Sequence, residues 1–327
     1  MTIQLGPHRI EGQVFLAPMA GVTDVPFRQI CRNWGAAYVV GEMVASQAHL
    51  WASAKSQSRF RFEESDTLRV TQLLGADPDA LEKAVYFAVE QGAQVIDFNM
   101  GCPAKKVCSV ACGSALMKDE AEAQMLLKRL GEAARGAGVP VTLKCRTGWD
   151  ESHKNAVTIA KMAADEGFSM VTVHGRTRVG GYISPVEYDT IGEVVKAVSI
   201  PVVANGDIIN GERARRVLDE TGAAAVMVGR ASMGNPWIFR QISAYLKGDR
   251  FSEPDYRERV ETILDHWQAH FAFYEEDLAV RTFRKHLSWY LQGWPNAAPA
   301  LAVVLREQTG ESQRQRLCDY FAAQGWI

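Results

Sequence analysis

Eight short apolar runs, each followed by a stretch with helical spacing, constrain this chain more than any other feature. They are QVFLAPM (13–19), AAYVVGEM (36–43), LRVTQLLG (68–75), QVIDFNMG (94–101), VTLKCRTG (141–148), MVTVHGRT (170–177), PVVANGD (201–207) and AAVMVGRA (224–231). Near-continuous hydrophobicity rich in Val, Ile and Ala is the pattern of parallel strands covered by helices. The segments between them, such as DALEKAVYFAVEQ (79–91) and AEAQMLLKRLGEAARG (121–136), read as those helices, and Gly or Pro punctuates many of the joins. Eight strand–helix units in series predict an α/β fold, a (β/α)8 TIM barrel. The alternative is a doubly wound sheet, which usually carries a glycine fingerprint after its first strand; here that strand runs into PMAGVTD rather than GxGxxG.

Polar residues gather where these strands end: Glu42, Gln72, Asn99 with Cys102, Lys144 with Arg146, His174 with Arg176, Asn205 with Asp207, and Arg230. Barrel enzymes build their sites at that rim. From about residue 244 the texture changes to amphipathic helices without strand signals, so we expect a barrel over 1–243 and a small helical domain over 244–327. A length of 327 residues suits that division.

Lys and Arg number 36 against 38 Asp and Glu, a net charge of -2, so bulk charge gives no sign of a nucleic-acid partner. If RNA is bound, the basic surface must be local. Six cysteines spread over the chain do not form the pattern of a disulfide framework. The opening MTIQLGPHRI has no signal-peptide character, and no apolar run approaches the roughly 20 residues that span a bilayer. The expectation is a cytoplasmic protein with no membrane partner.

Three features carry chemistry. The last two strands end in NGD and GRA, where barrels commonly form a phosphate site; Gly206 and Gly229 would let the backbone approach and Arg230 could add a charged fork. The alternative is that these glycines only make tight turns. Lys144 alternates with Leu143 and Cys145, so if Cys145 packs against the helices, Lys144 points into the barrel mouth and needs an anionic partner. That partner is either the polar edge of a flavin or a carboxylate such as Asp97 or Glu42. Cys102, in NMGCPAKK, lies just past the fourth strand at the rim, placed to act as acid or nucleophile. No histidine pair at metal-ligand spacing accompanies it, so no metal is expected there.

The segments APMAGVTDVPFR, TQLLG, NMGCPAKKV, GSALM, LKCRTGW, VHGRTR, VANGDI and VMVGRASMGNPW resemble those of the tRNA-dihydrouridine synthases, most closely the B subfamily. The resemblance runs from near the N-terminus to RTFRKHLSWYLQ, and NMGCPAKKV is its most specific part. It implies an FMN-bearing barrel with NADPH as reductant, acting on tRNA. Pro18, Met19 and Ala20 should line the flavin ring, with Gln72 and Lys144 on its polar edge. His174, Asn205, Gly206 and Asp207 should hold ribityl or phosphate, and Gly229 and Arg230 should complete the phosphate site. Cys102 matches the catalytic cysteine, with Asn99 orienting the target base and Arg176 near it. The loop after GCPAKKV departs from the family pattern: it reads CSVACGS and adds Cys108 and Cys112, best read as small residues of a tight loop.

The implied reaction adds hydride from FMN to C6 of a D-loop uridine and a proton from Cys102 to C5, with the base flipped into the barrel mouth. Local basic surface is available in Lys105 and Lys106 beside Cys102, and in a stripe of Arg281, Arg284 and Lys285 in the C-terminal part. Two rival readings remain at this level: a flavin barrel reducing a free pyrimidine or other small substrate, and an inactive RNA-binding protein.

Overall fold

The computed structural model describes residues 2–62 and 67–327. The chain begins with an antiparallel hairpin, β1 (Thr2–Leu5) and β2 (His8–Glu11), turning at Gly6 and Pro7. Then come β3 (Val14–Leu16), α1 (Val25–Asn33), β4 (Tyr38–Val39), β5 (Val44–Ala45), α2 (Ala54–Phe60), β6 (Val70–Leu74), α3 (Pro78–Glu90) and β7 (Val95–Met100). Next are α4 (Lys105–Cys108), α5 (Glu120–Gly136), β8 (Val141–Arg146), α6 (Ala156–Asp165), β9 (Met170–His174) and α7 (Asp189–Ala197). The series closes with β10 (Val202–Asn205), α8 (Gly211–Thr221), β11 (Ala225–Val228) and α9 (Ile238–Lys247). The C-terminal helices are α10 (Tyr256–Phe273), α11 (Glu276–Tyr290), α12 (Ala297–Val304) and α13 (Gly310–Ala323).

Strands β3 to β11 form one parallel sheet in the order 4-3-11-10-9-8-7-6-5. β4 pairs with β3 while β5 pairs with β6, so residues 38–45 act as one interrupted stave that closes the ring. The result is the eight-stave TIM-like barrel expected from the eight apolar runs. The second run is not continuous: it breaks after Val39 and resumes at Val44. In the gap, the Arg28 guanidinium lies 2.9 Å from where a Cβ on Gly41 would stand.

The pleat sorts the side chains of each stave to opposite faces. Leu16, Leu73, Phe98, Leu143, Cys145 and Val173 point outward into the core beneath the helices. Phe15, Val70, Val95, Met170, Val203 and Ala225 point inward near the strand starts, where Ile3, Leu5 and Ile10 of the hairpin join them. The hairpin is therefore a plug for the amino-terminal end of the barrel. Farther along the same inward rows the residues turn polar: Gln72, Asp97 and Thr142, then Asn99, Lys144, His174 and Asn205.

The C-terminal helices pack around a further apolar cluster, with Val260, Ile263, Phe283, Leu287, Tyr290 and Phe321 among its members, which Trp237 and Trp34 join from the barrel part of the chain. α10 opens with a capping box between Asp255 and Glu258 and packs against both α1 and α11. No helix among the described residues is long and apolar enough to cross a membrane.

Candidate active site

The carboxyl ends of the strands surround a cavity of about 1100 Å³. Its floor is a chain of hydrogen bonds between inward-facing side chains. Thr142 Oγ1 donates to Asp97 Oδ1 (2.6 Å), Gln72 Nε2 donates to Asp97 Oδ2 (2.7 Å), and Asn99 Nδ2 donates to Gln72 Oε1 (2.8 Å). Burial lifts the Asp97 carboxyl to about 6, and its two hydrogen-bond donors oppose that rise. Cys145 lies in the outer core, and Lys144, on the opposite face of β8, lines the cavity with Nζ 3.0 Å from Asn205 Oδ1. Its partner is thus an amide rather than a carboxylate. Burial, reinforced by the nearby Arg146 cation, pushes the Lys144 ammonium down to about 8.

Cys102 sits at the rim, and its loop is held from several sides. Asn99 Oδ1 accepts from the backbone N–H of Gly101 (3.1 Å) and Cys102 (2.9 Å). Arg146, 1% exposed, donates from Nε to Gly101 O (2.8 Å), and Ser114 Oγ donates to Cys102 O (2.9 Å). Gly113 adopts φ +64, and a Cβ there would stand 2.9 Å from Cys102 O, so the turn requires glycine. Burial pushes the Cys102 thiol above its ordinary range, against the pull of the Ala104 amide and the nearby cations. At neutral pH it is a protonated thiol facing the cavity. Cys108 sits behind it, its Sγ 3.6 Å from Cys102 O, and Cys112 is buried.

The β10 and β11 ends bring Asn205, Gly206, Asp207, Gly229 and Arg230 to the same mouth, and Pro18, Met19 and Ala20 follow the neighbouring β3, where a Cβ on Gly229 would stand 3.8 Å from Met19 Sδ. Gly206 has φ +128, and a Cβ there would meet Val186 at 3.0 Å and His174 Cδ2 at 3.2 Å. His174 is held neutral by burial and by the cations around it, Lys144 foremost. Arg176 is engaged differently from the expected base contact. It does not line the cavity but grips Asp207 with both terminal nitrogens (3.1 and 2.6 Å) and donates from Nε to Ser184 O. This grip, with Arg230 at 2.9 Å, holds the Asp207 carboxyl below its ordinary range.

The cationic stripe on α11 is divided. Arg281 is exposed, Arg284 donates to Glu307 O (2.8 Å), and Lys285 reaches back to the carbonyl of Gly21. Lys105 and Lys106 are both exposed, but only Lys105 lines the cavity. Sequence reasoning placed Arg146 at the rim without giving it the support of the Cys102 loop, and it did not single out Tyr182, whose ring lies 5.2 Å from the Arg146 guanidinium and 5.4 Å from that of Arg230. Arg146 was visible as a third inward position on its strand; Tyr182 lies in a loop, where no periodicity marks it.

Comparisons with known proteins agree with one another. The model of the dihydrouridine synthase family matches residues 15–323. The chain is 46% identical over 321 residues to the tRNA-dihydrouridine synthase B of Pseudomonas aeruginosa, covering 98% of this chain and 96% of that one. It is 44% identical over 320 residues to the protein of the same name in Vibrio cholerae, covering 98% of each. Among solved structures, the old yellow enzyme homologue of Zymomonas mobilis superposes with a TM-score of 0.51 at 15% identity, covering 79% of this chain and 95% of that one, a likeness of fold.

Proposed function

The chain belongs to the dihydrouridine synthase family, and from that premise we propose that its barrel mouth reduces uridines of tRNA to dihydrouridine by proton donation from Cys102. It is an oxidoreductase of tRNA modification with the activity named for its B-type relatives. The observation that carries the mechanism is the placement of a thiol, Cys102, and a half-buried lysine, Lys144, on one cavity at the carboxyl ends of the strands.

The family is generally FMN-dependent, and the residues present fit that group. The cavity offers an apolar wall at Pro18, Met19 and Ala20 and amide donors at Gln72 and Asn205. It also offers the Lys144 cation, and a Gly206 turn that a side chain would fill, beside Arg230. Pro18, Met19 and Ala20 would line the ring, Gln72 and Lys144 its polar edge, and His174, Asn205, Gly206, Asp207, Gly229 and Arg230 the ribityl and phosphate. Flavin, when bound and reduced by NADPH, supplies the hydride that C6 of the uracil receives.

The protein's own part is orientation and proton delivery. Asn99 and Arg146 fix the backbone before Cys102 and Ser114 holds the carbonyl after it, and together they aim its thiol into the mouth. The Cys102 proton goes to C5 on the face opposite the hydride, and solvent restores the thiol. Lys144 would hold its cation against the polar edge of the group, where partial burial makes one cation count for more than it would in water. Arg176 positions Asp207 rather than touching the base. The target uridine leaves its stack to enter, and Lys105 and Lys106 meet its flanking phosphates. In this reading residues 244–327 act as a unit that grips the tRNA body, with Arg281, the exposed cation of the α11 stripe, as its phosphate contact and Arg284 and Lys285 supporting the helix.

Two measurements on one strain pair test the reading: the dihydrouridine map of tRNA with and without the gene, and the native mass of the purified protein. Loss of specific D-loop dihydrouridines together with one FMN per chain is expected. An unchanged map, or a chain that neither carries nor takes up FMN, would overturn it.

A further inference from the structure

Away from the mouth, at the seam between barrel and C-terminal helices, lies a cluster that the reaction does not use. Asp24, His266 and His270 are 6%, 0% and 0% exposed, and one ligand atom from each lies within 4.8 Å of the others. His266 and His270 stand four residues apart on one face of α10, and Asp24 caps α1. We propose that Asp24, His266 and His270 form a binding site for a divalent transition metal of the zinc class.

The hydrogen bonds around the cluster argue for a cation. Asp24 Oδ1 accepts from the Phe27 amide (3.0 Å), and Oδ2 accepts from Tyr274 Oη (3.1 Å) while lying 3.5 Å from His270 Nδ1. On the far side of that ring, Nε2 lies 2.8 Å from Thr282 Oγ1, and the Thr282 hydroxyl itself donates to Leu278 O at 2.7 Å. The tautomer in which Thr282 keeps its bond to Leu278 O puts the His270 proton on Nε2 and leaves Nδ1, which has no hydrogen-bond partner among the described residues, with its lone pair. A lone pair and a carboxylate oxygen then face each other in a dry interior, which a metal ion between them would convert from repulsion to ligation. At His266, Nδ1 pairs with Tyr290 Oη (3.0 Å) and the buried Nε2 has no hydrogen-bond partner among the described residues; the tautomer with its proton on Nδ1, donated to Tyr290 Oη, leaves Nε2 able to ligate. A remote nitrogen held by a hydrogen bond while the near one faces the centre is the arrangement of metal-bound histidines. His286, centred 4.7 Å from the His266 ring, has both nitrogens buried and without a partner among the described residues.

Neutral imidazoles with one carboxylate are a donor set suited to zinc. Tetrahedral zinc places its ligand atoms about 3.3 Å apart, so the three donors, within 4.8 Å of one another, would draw together on binding. Lys285, whose Nζ reaches Gly21 O, and Glu42, which accepts from Gly21 N–H, are the other charges nearby. A metal here would fasten α10 to the segment that carries Pro18 to Ala20. The proposal stands whether or not the mouth performs the reaction assigned to it.

The test uses the full-length protein, stripped with a chelator and titrated with Co²⁺ and then Zn²⁺. One Co²⁺ per chain is expected, with the visible absorption of tetrahedral nitrogen and oxygen coordination and without the near-ultraviolet thiolate band that Cys102, Cys108 or Cys112 ligation would give. Zn²⁺ should displace it and raise Tm by roughly 5 °C at about 100 times its Kd. His270→Gln should weaken binding by at least about 100-fold. Absence of stoichiometric binding, a thiolate band, or undiminished affinity in folded His270→Gln would each overturn the proposal. If that variant does not fold, the Co²⁺ spectrum of the unaltered chain decides alone.

Discussion

The two ends of the barrel interior are built from the same inward rows of the same strands, yet they share almost no chemistry. At the amino-terminal end Phe15, Val70, Val95 and Met170 meet Ile3, Leu5 and Ile10 of the hairpin in a dry plug. At the carboxyl end the rows finish in Gln72, Asn99, Lys144, His174 and Asn205, open to a cavity. One end has apolar area to bury and the other has polar groups that need partners. The polar end satisfies itself through a continuous chain of side-chain hydrogen bonds, from Thr142 through Asp97 and Gln72 to Asn99. Stability and reactivity are thus separated along a few residues of each strand, and they should be separable by mutation.

The largest separation is expected from Cys102→Ala. Removing a general acid typically costs about 10²- to 10⁴-fold in rate. Dihydrouridine formation should fall by that factor while flavin content, its reduction by NADPH and the unfolding midpoint hold. Wild-type turnover of natural tRNA by the variant would take Cys102 out of the mechanism. At the other end, Leu5→Ala should cost about 2–5 kcal/mol of stability, because Leu5 is 0% exposed and the plug has little room to relax. Turnover per folded molecule should not change. A kinetic defect at full saturation would mean that the two ends are mechanically coupled.

How legible this was in the sequence depends on which force set each residue. The barrel and its rim were readable because inward and outward positions alternate and strand ends recur eight times. Lys144 could be aimed into the mouth from Cys145 alone. The hairpin was missed although its signal was present: TIQL and HRIE alternate around Gly-Pro, and Ile3, Leu5 and Ile10 are the buried positions. The break in the second stave was not readable, since it depends on Arg28 packing against Gly41 from another element. Arg176 was placed near the base from sequence, but its pairing with Asp207 is a tertiary fact. Likewise the spacing of His266 and His270 shows in HWQAH, whereas Asp24 joins them only through the fold.

A finer test of the polar end is its pH response. Burial holds the Lys144 ammonium at about 8, so the group is a cation below that pH and neutral above it. The sign follows: charge stabilisation at the cofactor edge is complete at lower pH and is lost as pH rises through about 8. Flavin reduction by NADPH should fall by about tenfold per pH unit beyond that point in wild type. Lys144→Met should be slow throughout and flat across the same range. A wild-type profile flat to well above that pH would show that Lys144 keeps its proton there or does not matter to this step.

The smallest expected effect concerns the C-terminal helices, and it distinguishes a surface made for RNA from one made for packing. A freely exposed stripe of Arg281, Arg284 and Lys285 would contribute about two units to the slope of log K against log salt, at roughly 0.7 per phosphate contact on looped RNA. The structure divides the stripe. Arg284 is engaged with Glu307 O and Lys285 with Gly21 O, while Arg281 is exposed and makes no ion pair among the described residues. Arg281→Ala should therefore flatten the slope for tRNA by about 0.7, or about two- to threefold in affinity over a fourfold change in salt. Replacing Arg284 and Lys285 as well should add little to the slope and should instead lower stability, because their contacts tie α11 to α12–α13 and to the barrel. The measurement is tRNA affinity at several salt concentrations for the single and triple variants, beside their unfolding midpoints. A slope change near two units in the triple variant would mean that the helices release both side chains when RNA binds. No change in Arg281→Ala would move the phosphate contacts to the rim, where Lys105 and Lys106 are exposed next to Cys102.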